Sequence, residues 1–326
     1  MTDIYIKSCN RAAYLDRCIR SIEKYVSGHG EIIVLDDGTE EKYLQKIAAD
    51  HGNVDIRRSP FGSEKREFIK NNPGEDRDLH RTLTDLGYDP CAFWVDEIKK
   101  DQNDYILIME EDAWFKESLD VARVTKNMTA NDAVFFKMWL NGKEEPEPGP
   151  DVDIRAVFDD GFVIDYYTPI IKEIMDVYRI FILAFSVYRQ DYWLNSFDGV
   201  GHYLDEPFML NHALEFVLRR QSEGMPVKFC RSGGEIIHQS GTTTCRADSG
   251  GMGVEVKIDN RVYNRVIDDA WLAGGFDSMN NFPGEMDDAY LASFFKSALG
   301  GEQTEKWLSW RGSYDAMRER IAKKTG

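Results

Sequence analysis

The segment 105–112 (YILIMEED) is a run of five apolar residues that ends abruptly in three carboxylates, Glu110, Glu111 and Asp112. An apolar run of this length between polar residues predicts a strand that is buried on both faces. Three acids at the end of such a strand repel one another, and a nearby cation relieves that repulsion. Oxygen ligands at this density suit Mg²⁺ or Mn²⁺, which often also hold substrate phosphates. A solvated acidic turn after a core strand is the alternative interpretation.

The N-terminal third of the chain alternates between predicted strands and predicted helices. Strands are expected over residues 4–8, 32–35 and 54–56, with helices over 12–25 and 40–50 between them. This alternation predicts a parallel sheet, since parallel strands need crossover connections. Ligands of such sheets bind beyond the carboxyl ends of the strands. Two acidic clusters, one after the second strand and one after the 105–109 strand, therefore fall at the edge where a ligand is expected.

The remaining patterns predict an α/β fold with a mostly parallel, Rossmann-like central sheet flanked by helices and followed by a helical extension. Asn10 is expected to cap the first helix. Further elements are a polar segment 61–89, helices 91–100 and 206–220, strands 133–136, 227–230 and 235–237, and two helices within 283–323. The expected division is a domain 1–253, with a nucleotide-binding half 1–112 and an acceptor-binding half 113–253, and a mainly helical extension 254–326.

Composition narrows the classes of function. The 326 residues carry a formal net charge of −17, which disfavours nucleic-acid binding because such binding needs a basic surface. The chain has no apolar run of the ~20 residues that a transmembrane helix requires, and its N-terminus lacks a signal-peptide pattern. The five scattered cysteines contain no C-x-x-C pair and indicate a reduced, cytoplasmic setting. A homodimer is possible, but the sequence does not determine the oligomeric state.

Polar residues near the predicted strand ends are candidates for nucleotide contacts. Asp37, with Asp36 beside it, can accept a hydrogen bond from a nucleobase N–H or a ribose hydroxyl, or can simply form a turn before Gly38. Lys65 and Arg66 follow Gly62 and can contact a base or a phosphate. A solvated surface pair is the alternative for these two cations.

Two further clusters offer catalytic chemistry. His238 ends a predicted strand and can bind a metal through a neutral imidazole, although a structural histidine is the alternative. Asp112 and His238 together would form a mixed oxygen and nitrogen site compatible with Mn²⁺. Asp205 and Glu206 open a predicted helix, where they can serve as an N-cap or as a general base that deprotonates an acceptor hydroxyl.

Taken in order, these motifs resemble glycosyltransferase family 2, whose members are inverting enzymes with the GT-A fold. Residues 4–11 resemble the opening strand of the family, and residues 32–39 (IIVLDDGT) resemble its second strand, in which the second acid contacts the base of a nucleoside diphosphate sugar. Residues 105–112 resemble the strand with the D-x-D metal motif, and His238 matches a late histidine that some members use as a metal ligand. The similarity covers roughly residues 3–241.

The resemblance implies metal-dependent transfer of a sugar from a nucleoside diphosphate donor, with UDP the expected nucleotide, to a hydroxyl of a carbohydrate or another acceptor. The metal, Mn²⁺ or Mg²⁺, is assigned to Glu110, Asp112 and His238, and the base to Asp205 or Glu206. The candidate nucleotide contacts are Ser8, Asn10, Arg11, Asp36, Asp37, Lys65, Arg66 and Glu111.

The chain also departs from the family. Glu110 replaces the first acid of D-x-D, and the acid pair of the base motif is reversed. Two alternatives therefore stay open, a nucleotidyltransferase and a catalytically silent protein that binds sugar nucleotides. A nucleotidyltransferase usually begins with a Gly-rich phosphate loop, and residues 8–13 contain no glycine.

Overall fold

The fold is described from a computed structural model of the chain. The residues it describes are 1–71, 76–88, 90–140, 152–169, 179–201, 206–225, 227–240, 256 and 258–325.

The first half of the chain alternates strands and helices as the sequence predicts. Its elements are β1 (Asp3–Ser8), α1 (Ala12–Tyr25), β2 (Val26–Ser27), β3 (Ile32–Asp36), α2 (Glu41–Asp50), β4 (Val54–Arg58), α3 (Gly62–Asn71), α4 (Asp76–Asp85), α5 (Pro90–Ile98) and β5 (Tyr105–Glu110). No helix or strand was assigned to the polar segment 61–89, and α3 and α4 form within it. The segment has few apolar residues to repeat with a helical period, so the sequence did not indicate these two helices.

The second half contributes shorter strands and the helical tail. Its elements are β6 (Ala113–Phe115), β7 (Leu119–Asp120), α6 (Val121–Ala130), β8 (Ala133–Leu140), β9 (Val152–Val157), β10 (Val163–Tyr167), β11 (Ser186–Arg189), α7 (Gln190–Ser196), α8 (Glu206–Ser222), β12 (Lys228–Gln239), α9 (Asn260–Leu272), α10 (Asp288–Leu299) and α11 (Gly301–Thr325). The two strands expected at 227–230 and 235–237 are one strand, β12. The expected helical tail is confirmed, with α9 as an additional helix.

A sheet of ten strands runs through the molecule in the order β4-β3-β1-β5-β11-β8-β12-β10-β9, with β6 paired to β12. The predicted α/β class and its central sheet are confirmed. Strands β4, β3, β1 and β5 are parallel, with Ser8 opposite Asp36 and Lys7 opposite Glu110. From β5 onward the sheet is mixed, because β11 is antiparallel to both β5 and β8 whereas β12 is parallel to β8. The carboxyl ends of β3, β1 and β5 therefore lie side by side.

Helix α1 lies between the sheet and the C-terminal helices, and ten of its residues are buried. Side chains of α9, α10 and α11 belong to the same apolar core as the sheet, including Trp271, Phe295 and Trp307. Polar contacts reinforce this packing, because Trp271 Nε1 and the Ser278 hydroxyl both donate to the buried carboxylate of Asp16 on α1. The helical extension is thus part of the core that supports the sheet.

The start of α1 is capped from a distant part of the chain. Asn10 was expected to cap this helix, but Arg11 occupies the N-cap position, with no hydrogen bond from its side chain to the helix backbone. Asn10 instead has φ +54°, a left-handed conformation that Asn tolerates better than most residues. The carboxylate of Asp268, on α9, accepts the N–H of Ala13 at 2.9 Å. Burial raises the pKa of Asp268 to about 7 although this hydrogen bond opposes the shift.

Within the described residues, no helix has the length and apolar character needed to cross a bilayer.

The raised pKa of Asp268 predicts a pH-dependent contribution to stability. The folded chain keeps this proton up to about pH 7, whereas an unfolded Asp loses it near pH 4, so stability falls as the pH rises between these values. Between pH 5 and pH 8, the free energy of unfolding of wild type should fall by about 2–3 kcal/mol more than that of Asp268→Asn. Urea unfolding at both pH values measures the difference. Asp259→Asn, at the start of the same helix, is the matched control, and parallel pH profiles for wild type and Asp268→Asn would contradict the assignment.

Candidate functional site

Backbone hydrogen bonds join the carboxyl ends of β1, β3 and β5 into one rim of the sheet. The bonds run from Asp37 N to Ser8 O at 2.9 Å, from Asn10 N to Thr39 Oγ1 at 2.9 Å and from Glu111 N to Lys7 O at 3.2 Å. The two acidic clusters predicted to meet at one edge are therefore brought together, with the end of β1 between them.

Arg11 is the cation beside the second acidic cluster. Its Nε donates to Glu111 Oε1 and its Nη1 donates to Asp112 Oδ2, each at 2.9 Å. The backbone N–H of Cys9 donates to the same Glu111 oxygen at 2.9 Å. All three side chains are almost fully buried. Burial raises the pKa of Glu111 to about 8, against the opposing charge of Arg11.

Glu110 lies against a different cation. The ammonium of Lys7, its neighbour across the β1–β5 pair, is 3.0 Å from Glu110 Oε1 and also donates to the carbonyl of Leu183. Lys7 is buried, and its Nζ lies 4.9 Å from the centroid of the Trp94 ring. Two protein cations, Lys7 and Arg11, thus relieve the repulsion among the three acids. The sequence had indicated only Arg11, as a candidate nucleotide contact.

The two acids after β3 have different environments. Asp36, the last residue of β3, accepts the backbone N–H groups of Gly38 and Thr39 at 3.1–3.2 Å, so it makes the turn contacts that were considered for Asp37. Asp37 instead contacts the ammonium of Lys65. Burial raises the pKa of Asp37, and the Lys65 charge opposes that shift.

Helix α3 brings Lys65 and Arg66 to this turn. Gly38, at φ +131°, and Gly62 lie so close that a Cβ on Gly38 would be 3.0 Å from the Gly62 carbonyl oxygen. Arg66 Nη1 donates to the carbonyls of Gly38 and Thr39 at 2.9 and 3.1 Å. Lys65 is only 4% exposed, so the alternative of a solvated surface pair is wrong for this residue.

His238 lies near Asp112. Strand β12 pairs with β6 so that His238 is opposite Trp114. Beyond this pair, the backbone N–H of Ser240 donates to the carbonyl oxygen of Asp112 at 2.9 Å. The His238 ring stacks on the Trp114 ring with centroids 4.7 Å apart and an interplanar angle of 21°. Its Nε2 is 3.5 Å from Glu285 Oε2, on the segment before α10.

The part of the chain that the structure describes contains no group of three or more His, Cys, Asp or Glu side chains spaced to hold a metal ion by themselves. Of the three residues assigned to the metal, Asp112 and His238 are joined through the β6–β12 connection, whereas Glu110 is paired with Lys7. The roles of these residues therefore stay predictions.

The two candidate bases are only partly described. Asp205 lies outside the described residues. Glu206 is the first residue of α8. The pKa of Tyr188 is raised by burial and further by the charges of Glu110 and Glu206, so both carboxylates lie within electrostatic reach of one side chain.

Sequence reasoning missed Lys7, Trp114 and Glu285 as neighbours of the predicted residues. Lys7 is paired directly with Glu110, a relation that follows only once β1 and β5 are known to be adjacent. Glu285 is 47 residues beyond His238, and no sequence signal links them.

No protein-family model and no curated protein matches the chain. Among solved structures, it is similar to TarS 1–349 from S. aureus in complex with UDP, at 12% identity and a TM-score of 0.44, over 100% of this chain and 83% of that one. It is also similar to the galactosyltransferase LgtC in complex with donor and acceptor sugar analogues, at 17% identity and a TM-score of 0.30, over 65% of this chain and 70% of that one. A third is glucosyl-3-phosphoglycerate synthase from Mycobacterium tuberculosis in complex with Mn²⁺ and UDP-glucose, at 15% identity and a TM-score of 0.27, over 44% of each chain.

The geometry around Arg11 predicts a large stability loss when its charge is removed. Arg11→Met leaves Glu111 and Asp112 buried without this cation, which typically costs about 3–5 kcal/mol. The matched control is Arg58→Met, because Arg58 pairs with Glu41 on the exposed edge of the sheet, where an ion pair contributes about 1 kcal/mol or less. Urea unfolding measures both losses, and similar values for the two variants would show that Arg11 does not compensate buried charge.

Proposed function

We propose that the chain transfers a sugar from a UDP-sugar donor to an acceptor hydroxyl, with inversion at the anomeric carbon. The observation that carries this proposal is the junction of three strand ends at one rim, with Asp37 at one side and Asp112 at the other. Ligands of open α/β sheets bind at this edge. The order of the motifs along the sequence, which resembles glycosyltransferase family 2, supports the same assignment.

The nucleoside end of the donor is assigned to the turn after β3. The Asp37 carboxylate can accept a hydrogen bond from the uracil N–H or from a ribose hydroxyl, and a charged acceptor makes that bond stronger than a neutral one. The contact with Lys65 favours the ionised form of this carboxylate and so opposes the effect of its burial, because a nearby positive charge favours the charged form. Arg66 holds the turn in place through two backbone carbonyls.

The diphosphate end is assigned to Arg11, Asp112 and His238. A carboxylate with an imidazole is a donor set that suits Mn²⁺, and cations of this class are often bound by one or two protein ligands together with substrate phosphates. The two residues therefore fit a divalent cation that is completed by the donor. When bound, such a cation acts as a Lewis acid that stabilises charge on the departing UDP. Glu110 is left out of this set because it contacts Lys7 on the β1–β5 pair and does not take part in the β6–β12 connection that joins Asp112 to His238.

The acceptor is assigned to the side of the rim where α8 begins. Asp205 or Glu206 takes the proton of the acceptor hydroxyl as general base. The oxygen then forms a bond to the anomeric carbon, the bond from that carbon to the UDP oxygen breaks, and UDP leaves with the electron pair. Attack from the face opposite to the leaving group inverts the configuration.

Asp112→Asn tests the function and its metal requirement together. Wild type should bind UDP in the presence of Mn²⁺, by calorimetric titration, and should turn over one member of a panel of nucleotide sugars. The variant should lose at least about 100-fold in turnover, because the amide is a neutral and weaker ligand for the cation. Asp55→Asn, on the exposed edge strand β4, is the control and should match wild type.

Three results would contradict parts of this proposal. Wild-type turnover by Asp112→Asn would contradict the metal assignment. UDP binding without transfer or hydrolysis of any donor would indicate a catalytically silent binding protein. Absence of UDP binding to the wild type would overturn the proposed function as a whole.

A further inference from the structure

A segment of the C-terminal extension, residues 278–286, is held against α1 by a buried arginine. Arg17 is fully buried and donates to the backbone carbonyls of Ser278 at 2.6 Å, Asn280 at 3.1 Å and Gly284. No carboxylate is among these hydrogen-bond partners, and the three carbonyl oxygens, together with the nearby charges of Glu285 and Asp277, oppose the cost of its desolvation. An arrangement of this kind holds the segment in one conformation, because each lost contact would leave part of a buried charge unsatisfied.

Trp114 connects the same segment to the candidate site. Its indole N–H donates to the carbonyl of Pro283 at 2.7 Å, and the Arg17 guanidinium lies 4.2 Å from its ring centroid. The same indole ring stacks on His238. Trp114 therefore contacts both the anchored segment and the imidazole that we assign to the cation.

Glu285 extends from this segment to the end of β12. Its Oε1 accepts the hydroxyl of Ser240 at 3.0 Å, and its Oε2 lies 3.5 Å from Nε2 of His238, within electrostatic reach although Nε2 makes no hydrogen bond to the described residues. The side chains of His238 and Glu285 are 13% and 14% exposed, so the charge of Glu285 acts on the ring with little screening by water.

We propose that Glu285 is a positioning residue that orients His238 for cation binding, so that the C-terminal extension completes the diphosphate end of the site. This inference rests on the proposed function, because it takes His238 as a ligand. A carboxylate beside Nε2 favours a proton on that nitrogen, and the other ring nitrogen, Nδ1, then keeps its lone pair for the cation. Trp114 fixes the plane of the ring while Glu285 fixes its rotation within that plane.

The energetic reason is general to histidine ligands. An imidazole that donates its second N–H to a carboxylate is a stronger base and loses less rotational freedom on binding, and loss of such a partner typically weakens metal binding 10- to 100-fold. A purely structural role for Glu285 would instead hold the 278–286 segment in place through Ser240. The two roles differ in what the conservative variant Glu285→Gln restores and in what Ser240→Ala changes.

The test measures Mn²⁺ binding in the presence of saturating UDP, by calorimetry and by the electron paramagnetic resonance signal of free Mn²⁺, without any turnover. Glu285→Ala should raise the dissociation constant for Mn²⁺ 10- to 100-fold. Glu285→Gln should recover part of this loss, because the amide oxygen can also accept the imidazole N–H. Ser240→Ala should change Mn²⁺ binding less than Glu285→Ala does. Glu302→Ala, an exposed charge on α11 of the same extension, is the matched control and should bind Mn²⁺ as wild type does.

UDP binding in the presence of EDTA and thermal unfolding are measured on the same variants, so that misfolding is recognised separately. Mn²⁺ binding by folded Glu285→Ala within threefold of wild type would overturn the inference and leave the proposed function intact. Equal losses in Ser240→Ala and Glu285→Ala, with no recovery by Glu285→Gln, would also overturn it, in favour of a structural role. Wild type that binds UDP but no Mn²⁺ would overturn both the metal assignment and this inference.

Discussion

The guanidinium of Arg11, placed between Glu111 and Asp112, is the interaction on which the rim of the sheet depends. Two adjacent carboxylates buried at the end of a strand are unfavourable unless a cation shares their environment, and Arg11 provides it from the end of the neighbouring strand. The same contact fixes where α1 begins, because Arg11 occupies its N-cap position. Arg11 therefore both compensates buried charge and marks the start of α1 at this edge of the sheet. We propose that the donor binds beside it.

Helix α1 connects this edge of the sheet to the C-terminal extension. Its first turn is capped by Asp268 of α9, its Asp16 accepts hydrogen bonds from Trp271 and Ser278, and its Arg17 holds the 278–286 segment. Both ends of this network reach the candidate site, through Arg11 at one end and through Glu285 at the other. The extension thus supports the rim near Asp112 through Glu285, and it also contacts the start of α2 through Asp269. A domain boundary near residue 253 stays a prediction from the sequence.

The elements that the sequence predicts well are those with a strong local signal. The apolar runs of β1, β3 and β5 and the amphipathic pattern of α1 indicated their structures, and the parallel order of the first strands placed both acidic clusters at one edge. The errors have long-range causes. The mixed order beyond β5 depends on which strands pair, the cap of α1 comes from Asp268 more than 250 residues away, and the partner of His238 comes from a segment with no motif. The sequence also indicated that the three acids need a cation but did not show that Lys7 and Arg11 provide positive charge there.

A crystal structure of the wild-type protein with UDP and Mn²⁺ tests the central claim most directly. The account predicts uridine at the turn after β3, within hydrogen-bond distance of Asp37, and the diphosphate beside Arg11, with the cation bound by Asp112 and His238. UDP bound away from the carboxyl ends of β1, β3 and β5, or a cation bound by other residues, would contradict it.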